Sequence, residues 1–286
     1  MKTETKGKIS IIISMAIFGT IGLFVKFIPL PSSVIAAVRG FIGAAFLIVA
    51  MLLAKKGFSF KAVRNNLVLL VLSGAAIGIN WILLFEAYRH TTVSVATLCY
   101  YMAPVFVTAF SPIILKEALT LKKGICITVA LIGMVLVSGV LNGAQALNAT
   151  GIFFGLGAAV FYATVIFLNK FLKDISPLET TVVQLFAAAV TALPYVLIVE
   201  DLSDVKLGAL PVILLIIVGI VHTGIAYWLY FGSFRNLKAQ SVAVISYVDP
   251  ALAIVLSALI LREPIGVPEI IGAVLILGST LICEIL

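Results

Sequence analysis

The sequence predicts an all-α polytopic membrane protein of ten transmembrane helices, arranged as two inverted five-helix repeats. Three observations lead to this prediction: the composition, a series of long apolar runs, and self-similarity between the two halves of the chain. Of the 286 residues, 63% are hydrophobic and 11% are charged. A soluble domain is typically about a quarter charged, so the composition excludes a soluble protein. The net charge of +7 is spread over short clusters between apolar runs, which does not indicate a nucleic-acid partner.

The apolar runs are each long enough, or nearly so, to cross the hydrocarbon core of a bilayer, which takes about 20 residues. They are too long for barrel strands, and lipid requires that backbone groups be satisfied within the segment, so we expect helices. Short connectors leave no room for a soluble domain. The ten predicted spans are Ile9–Phe27, Ser33–Ala54, Leu67–Tyr88, Val93–Leu115, Leu121–Leu141, Gly151–Phe171, Glu179–Val199, Leu210–Phe234, Ala239–Leu261 and Ile265–Leu286.

The two halves of the chain repeat the same residues at a constant spacing of 146 positions. The matching pairs are Phe85 and Phe231, Arg89 and Arg235, Tyr101 and Tyr247, Pro104 and Pro250, and Glu117 and Glu263. We therefore divide the chain into repeats at residues 1–144 and 145–286, within one membrane domain. Because five is an odd number, the second repeat is expected to enter the membrane from the opposite side. Inverted repeats are the usual architecture of secondary transporters.

The positive charges predict how the chain is oriented in the membrane. If the N-terminus is cytoplasmic, fourteen lysines and arginines fall on cytoplasmic segments and four on outside segments, with Arg39 inside a span. Positive residues concentrate on the cytoplasmic side of membrane proteins. We therefore expect both termini in the cytoplasm.

Two ionisable residues fall near the middle of predicted spans, where charge is costly unless it is functional or buried among helices. Asp249 lies about ten residues into the ninth span and precedes Pro250, which removes a helical hydrogen-bond donor. It is a candidate for binding a substrate ammonium group or a coupling proton, and the alternative is a structural hydrogen bond to a neighbouring helix. His222, midway along the eighth span, is a second candidate for proton coupling, and a buried hydrogen-bonded histidine is the alternative.

Aromatic and amide side chains at similar depth are candidates for substrate binding, with core packing as the alternative. Aromatic residues at the membrane surface would form an anchoring belt, but these lie near the centre of their spans. They are Asn80, Trp81, Tyr100 and Tyr101 in the first half, and Tyr227, Trp228 and Tyr247 in the second.

A third feature is a pair of opposite charges near the predicted outer face. Arg39 stands about six residues into the second span, and Glu86 lies near the end of the third. An ion pair would spare Arg39 an isolated charge in lipid, so we predict a structural Arg39–Glu86 pair. The alternative is that Arg39 binds a substrate carboxylate.

Sequence motifs for catalysis or cofactor binding are absent. There is no phosphate-binding Gly-x-x-x-x-Gly-Lys-Ser/Thr loop, no His-Glu-x-x-His and no Gly-x-Ser-x-Gly. The three cysteines are far apart and form neither a disulfide framework nor a metal site. We therefore expect no enzymatic activity, no cofactor and no bound metal.

The paired motifs resemble a known family. Ser94-Val-Ala-Thr-Leu-Cys-Tyr-Tyr-Met-Ala-Pro104 and Ser241-Val-Ala-Val-Ile-Ser-Tyr-Val-Asp-Pro250 are similar to the repeat signature of the EamA family of the drug/metabolite transporter superfamily. The resemblance covers nearly the whole chain. It implies a ten-helix permease of the inner or plasma membrane that exports amino acids or other small metabolites without ATP. It also implies a cavity between the halves, lined mainly by the third, fourth, eighth and ninth helices with help from the first and sixth.

The expected function is therefore secondary transport of a small molecule across the lipid bilayer. We expect export of a metabolite such as an amino acid, by alternating access between the two inverted halves. The residues carry no directional signal, so uptake is an alternative, as are a membrane-embedded lipid-modifying enzyme and a non-transporting scaffold. A homodimer is left open as an assembly.

Overall fold

A computed structural model describes residues 3–55, 57–91, 96, 99–137, 148–203, 207–261 and 267–284, and its regular structure is entirely helical. Several predicted span ends, and Glu263 of the repeat, lie outside the described residues. The helices are α1 (Thr3–Val25), α2 (Ser32–Leu53), α3 (Phe60–His90), α4 (Ala103–Ile114), α5 (Leu121–Val137), α6 (Ala149–Lys170), α7 (Pro177–Val199), α8 (Ala209–Ser233), α9 (Ala239–Ile245), α10 (Val248–Leu261) and α11 (Val267–Glu284).

Six of these helices are long and apolar enough to cross a membrane. They are α1, α2, α3, α6, α7 and α8, and α4 is a shorter apolar helix of 12 residues. The eighth, α8, contains a π-helical segment, Val218–Ile225, around His222. Thr223 closes the wider turn by donating a hydrogen bond from Oγ1 to the carbonyl oxygen of Val218, at 3.0 Å. Segments of this kind are frequent at functional sites.

The ninth predicted span is not one continuous helix. It divides into α9 and α10 at Ser246 and Tyr247, so the prediction of an unbroken Ala239–Leu261 helix was wrong. The cause is Pro250, which has no N–H to bond the carbonyl of Ser246 four residues earlier. The amide of Asp249 bonds that carbonyl instead, at 3.3 Å.

The equivalent position of the first repeat is interrupted in the same way. Tyr101 and Met102 form a turn before α4, and Pro104 stands in its first turn. The two interruptions touch, because the Tyr247 hydroxyl donates a hydrogen bond to the backbone carbonyl of Tyr101 at 3.1 Å. The two aromatic rings lie 6.3 Å apart.

The helices α2 and α7 run antiparallel to each other. Ser33, at the start of α2, donates a hydrogen bond to Glu200, just beyond α7, whereas Gly40 meets Ala189 in the middle of both helices. At the other end, Glu179 at the start of α7 accepts a hydrogen bond from the backbone N–H of Ser59 in the α2–α3 connection, at 2.6 Å. These contacts fix which ends of the helices share a face of the bundle.

Glycines let the long helices approach closely. A β-carbon on Gly74 would lie 2.5 Å from that of Ala187, and one on Gly78 would lie 2.6 Å from the carbonyl oxygen of Ala188. Small residues at helix contacts are the usual means of close packing in membranes. Because both glycines advance along α3 in step with their neighbours on α7, these two helices are parallel.

A matching set of contacts involves α8. A β-carbon on Gly219 would lie 2.4 Å from Ile42, and one on Gly224 would lie 3.0 Å from Phe46, so α8 runs parallel to α2. The helices α1 and α6 run antiparallel to α8 and α3, respectively, because Thr20 contacts His222 beyond the Ser14 contact, and Ser73 contacts Asn169 before the Asn80 contact. Ser14 of α1 donates to the carbonyl of Ala226 at 2.8 Å, and Asn80 of α3 donates to the carbonyl of Ala158 at 2.6 Å.

Candidate functional site

A cavity of about 350 Å³ lies among the helices of the bundle. It extends to the end of the molecule where α1 ends, α2 begins and α3 ends, because Val25, Ser32 and Tyr88 are among its lining residues. Six of the eight residues predicted to bind substrate line this cavity: Asn80, Trp81, Tyr100, Tyr101, Tyr227 and Asp249. Arg39 lines it as well.

Arg39 presents a cation to the cavity. Its guanidinium carbon lies 4.8 Å from the centre of the Trp81 ring, a cation–π contact. Its Nε is buried and has no hydrogen-bond partner in the described part of the chain. A charged donor left unpaired beside a cavity is available to an anionic ligand.

Glu86 does not pair with Arg39, contrary to the prediction. It pairs instead with Arg89, one turn further along α3, where Nη1 and the carboxylate lie 3.2 Å apart. The Tyr195 hydroxyl also donates a hydrogen bond to Glu86, and Arg89 reaches Glu200 at 2.5 Å. Side chains three residues apart on a helix lie side by side, so Arg89 is the closer partner of Glu86.

Asp249 is positioned by the interruption between α9 and α10. It lies in the first turn of α10, where the unpaired N–H groups of a helix stabilise negative charge. Its carboxyl group interacts with the Tyr101 side chain of the equivalent interruption in the first repeat. Among the ion pairs of the described residues, neither Asp249 nor Arg39 has a partner.

The inner part of the cavity is built from stacked tyrosines. The rings of Tyr100 and Tyr162 are stacked with centroids 5.5 Å apart. The Tyr230 hydroxyl donates to the Tyr162 hydroxyl at 3.0 Å, and the Tyr162 hydroxyl donates to Ser246 at 3.1 Å. Neither Tyr162 nor Tyr230 was predicted from the sequence to bind substrate. Tyr230 follows Tyr227 by three residues on the same helix face, a signal that was available.

Three predicted residues do not line the cavity. Trp228 is 37% exposed on the outside of the bundle, because it lies about 100° around the helix from Tyr227. Tyr247 is fully buried and joins the two interruptions. His222 is buried beside Phe24, and its Nε2 and the Thr20 hydroxyl are hydrogen-bonded at 2.9 Å. Asn80 lines the cavity and also bonds the Ala158 carbonyl. In the described residues, no group of three or more His, Cys, Asp or Glu side chains is arranged to hold a metal ion.

The sequence matches the EamA-like transporter family twice, over residues 5–139 and 149–284. The chain belongs to the EamA-like transporter family. It is 30% identical to the uncharacterized transporter YxxF of Bacillus subtilis over 281 residues, which is 97% of this chain and 89% of that protein. It is 25% identical to protein PecM of Dickeya dadantii, over 91% of this chain and 85% of that protein. A crystal structure 18% identical in sequence shares the fold, with a TM-score of 0.85 over 98% of both chains.

Membership of the EamA-like family agrees with the apolar helices. The chain is a multi-pass membrane protein of the transporter type, as its family and its similarity to transporters indicate.

Proposed function

We propose that this EamA-like protein is a secondary transporter that exports small zwitterionic metabolites such as amino acids, without enzymatic activity. The observation that carries this proposal is one cavity holding a cation and a carboxylate, Arg39 and Asp249, that do not neutralise each other. Keeping an unpaired charge inside a membrane costs about 2.5–3.5 kcal/mol on insertion scales, unless a ligand or function offsets it.

The cavity chemistry fits a molecule with both charges. The guanidinium of Arg39 offers parallel N–H groups to a carboxylate, a geometry that lysine does not provide. The carboxylate of Asp249 and the faces of Tyr100 and Tyr101 suit an ammonium group. Trp81 and Tyr227 supply apolar surface for a side chain. A volume of about 350 Å³ lies in the range of small-molecule sites.

The mechanism we propose is alternating access between two inverted five-helix repeats, divided at residues 1–144 and 145–286. Helices at equivalent positions of inverted repeats run antiparallel, and α2 and its equivalent α7 do so. Contacts between the halves are matched as well. The helix α3 is parallel to α7, and the equivalent pair, α8 and α2, is also parallel. Exchanging the conformations of the two halves would move the cavity from one end of the molecule to the other.

For the orientation, we propose a plasma or inner membrane with both termini in the cytoplasm, on the basis of the distribution of Lys and Arg. In this orientation the end of α3, and with it the mouth of the cavity, faces outward. An outward cavity releases substrate in an exporter, and the same cavity would load substrate in an importer.

The test is counterflow by purified protein in liposomes, screened over labelled amino acids, amines, nucleosides and sugars. For the amino acid that gives a signal, we expect Arg39→Gln to lower uptake about 10- to 100-fold, since a hydrogen bond to a charged group is worth about 1.5–3 kcal/mol. The uptake by Arg39→Lys is expected to lie between that of the wild type and that of Arg39→Gln.

Arg64→Gln is the matched control, because Arg64 is exposed on α3 and lies outside the cavity. Each variant is first checked for wild-type thermal unfolding in detergent. Wild-type counterflow by Arg39→Gln, or transport of uncharged sugars in preference to amino acids, would contradict the proposal.

A further inference from the structure

A second cavity, also of about 350 Å³, lies at the opposite end of the bundle. Asn169 and Lys170 line it from the end of α6, and Pro177 and Thr180 line it from the start of α7. The start of α7 is held to the α2–α3 connection through Glu179 and Ser59, whereas the first cavity opens beside the start of α2. The two cavities therefore lie at opposite faces of the bundle.

The two cavities use equivalent positions of the two repeats. Phe231 and Phe234 line the second cavity, and 146 positions earlier Phe85 and Tyr88 line the first. The second cavity is lined from the ends of α6 and α8 and the start of α7, which are equivalent to the ends of α1 and α3 and the start of α2 around the first. The second cavity therefore corresponds in position to the mouth of the first.

Where the cavities approach each other on α8, their lining residues form an aromatic layer. Tyr230 lines the first cavity and the next residue, Phe231, lines the second, and they are 2% and 3% exposed. The rings of Tyr230 and Phe234 lie 4.9 Å apart, edge to face. The hydrogen bond from Tyr230 to Tyr162 holds the layer across α8 and α6.

The second cavity is positively charged, unlike the first. Arg235 and Lys170 line it together with a single carboxylate, Asp174. The Lys170 ammonium donates hydrogen bonds to the carbonyls of Phe234, at 2.7 Å, and Leu237. An ammonium group has three donors, so one remains beyond these two. Arg235 is exposed and forms no ion pair with another of the described residues.

We propose that the second cavity is a binding site for an anionic group of a soluble substrate, formed by Arg235 and Lys170 behind the aromatic layer of Tyr230 and Phe231. This proposal rests on the proposed transport function. In that function, a substrate that arrives from the side of the membrane with the α2–α3 connection binds first in the second cavity. The carboxylate would contact Arg235 there before it contacts Arg39 in the first cavity.

The test measures thiol labelling, which requires no transport. Leu172→Cys, in the lining of the second cavity, is made in a full-length chain with Cys99, Cys126 and Cys283 changed to Ala, and reconstituted in phosphatidylcholine vesicles. An anionic sulfonate-bearing and a cationic trimethylammonium-bearing methanethiosulfonate reagent are the probes. We expect the anionic reagent to react about tenfold faster relative to its rate with free cysteine, because a charged cleft concentrates ions of opposite sign.

Arg235→Gln in the same background is expected to lower this preference at least about fivefold, the effect of one unit charge at about 4 Å in water. Arg64→Gln, which removes an exposed arginine elsewhere on that face, is expected to leave it unchanged. Equal rates for the two reagents, or the same loss with Arg64→Gln as with Arg235→Gln, would overturn the proposal.

Adding phosphatidylglycerol to the vesicles distinguishes a soluble anion from a lipid headgroup. Unchanged labelling supports the soluble substrate, and strong protection by the anionic lipid overturns it. Labelling tests the anion site and counterflow tests the transport function, so either proposal can fail alone. An anion preference in labelling without counterflow of any compound would retain the site and reject the proposed function. Counterflow without an anion preference in labelling would retain the transport function and reject the anion site.

Discussion

Asp249 is the carboxylate that the fold holds at the junction of the two repeats. It stands in the first turn of α10 because Pro250 interrupts the helix just before it, and it reaches Tyr101 across the repeat boundary. The equivalent position of the first repeat is Ala103, so the two interruptions are similar in backbone but different in charge. A single carboxylate at a symmetric junction is suited to carrying a proton, because both halves reach it.

We therefore expect Asp249→Asn to uncouple transport from the pH gradient. Outward-directed flux driven by protons entering from the acidic side needs a group that gains and loses a proton, and asparagine does neither. For one proton per substrate, wild-type protein is expected to accumulate substrate up to about tenfold per unit of pH gradient, and the variant not at all. Accumulation in liposomes with imposed gradients measures this.

Exchange at equal pH on both sides is the control for Asp249→Asn, since it requires binding but no net proton movement. We expect the lost contact with the ammonium group to slow this exchange without abolishing it, so measurable exchange without accumulation assigns the defect to coupling. Flux that still follows the gradient in the variant would remove Asp249 from the coupling mechanism.

The sequence located residues by depth but not by direction. Asn80, Trp81, Tyr100 and Asp249 were predicted from their central position in apolar spans, and all of them line the cavity. Trp228 has the same depth and points outward, because depth is a property of the span and direction is a property of the helix face. The pair of Glu86 and Arg89 follows from their spacing of three residues on α3, whereas only the packing of α7 against α3 reveals that Arg89 also contacts Tyr195 and Glu200.

At the level of elements, the sequence predicted apolar helices well and their interruptions poorly. Hydropathy gives α2 within about one residue at each end, because both ends coincide with polar or charged residues. It begins the third helix at Leu67, although α3 starts at Phe60, where Ser59 caps it with a hydrogen bond from Ala62 N–H at 3.2 Å. The π-helical segment of α8 leaves no mark on hydropathy, because it changes hydrogen bonds and not composition.

The close contact of α3 with α7 makes Gly78 a sensitive position. A β-carbon there would lie 2.6 Å from the Ala188 carbonyl oxygen and 2.9 Å from the Thr191 β-carbon, so Gly78→Ala forces the helices apart. Overpacking of this kind typically costs about 1–3 kcal/mol. We expect a lower midpoint of thermal unfolding in detergent.

Gly124→Ala is the matched control for Gly78→Ala, since a β-carbon on Gly124 in α5 would have nothing within 4 Å. Alanine favours a helix over glycine, so this variant is expected to be as stable as the wild type or slightly more stable. Equal unfolding midpoints for the two variants would mean that the α3–α7 contact contributes little.

The whole molecule relates its two halves through pairs of equivalent elements. The interruptions of both repeats meet at Tyr101 and Tyr247, and α2 meets its equivalent α7. Repeats related by an axis in the membrane plane have antiparallel equivalent helices, whereas repeats related by an axis along the membrane normal have parallel ones. The spacing of 146 residues predicted which elements correspond, but only the packing reveals that they touch.

This relationship leads to a prediction about which face of the membrane each connection reaches. Gly57 in the α2–α3 connection and Ser203 in the α7–α8 connection are exposed and stand 146 positions apart. In an inverted repeat, equivalent connections lie on opposite sides of the membrane.

With Cys99, Cys126 and Cys283 replaced by alanine, we expect Ser203→Cys to react with a membrane-impermeant maleimide in intact cells. Gly57→Cys is expected to react only after the membrane is opened, because the distribution of Lys and Arg places that connection in the cytoplasm. The cysteine-free protein is the control for background labelling. Labelling of both positions from the same face would rule out the inverted repeat, and reversal of the two faces would retain the repeat and overturn only the orientation.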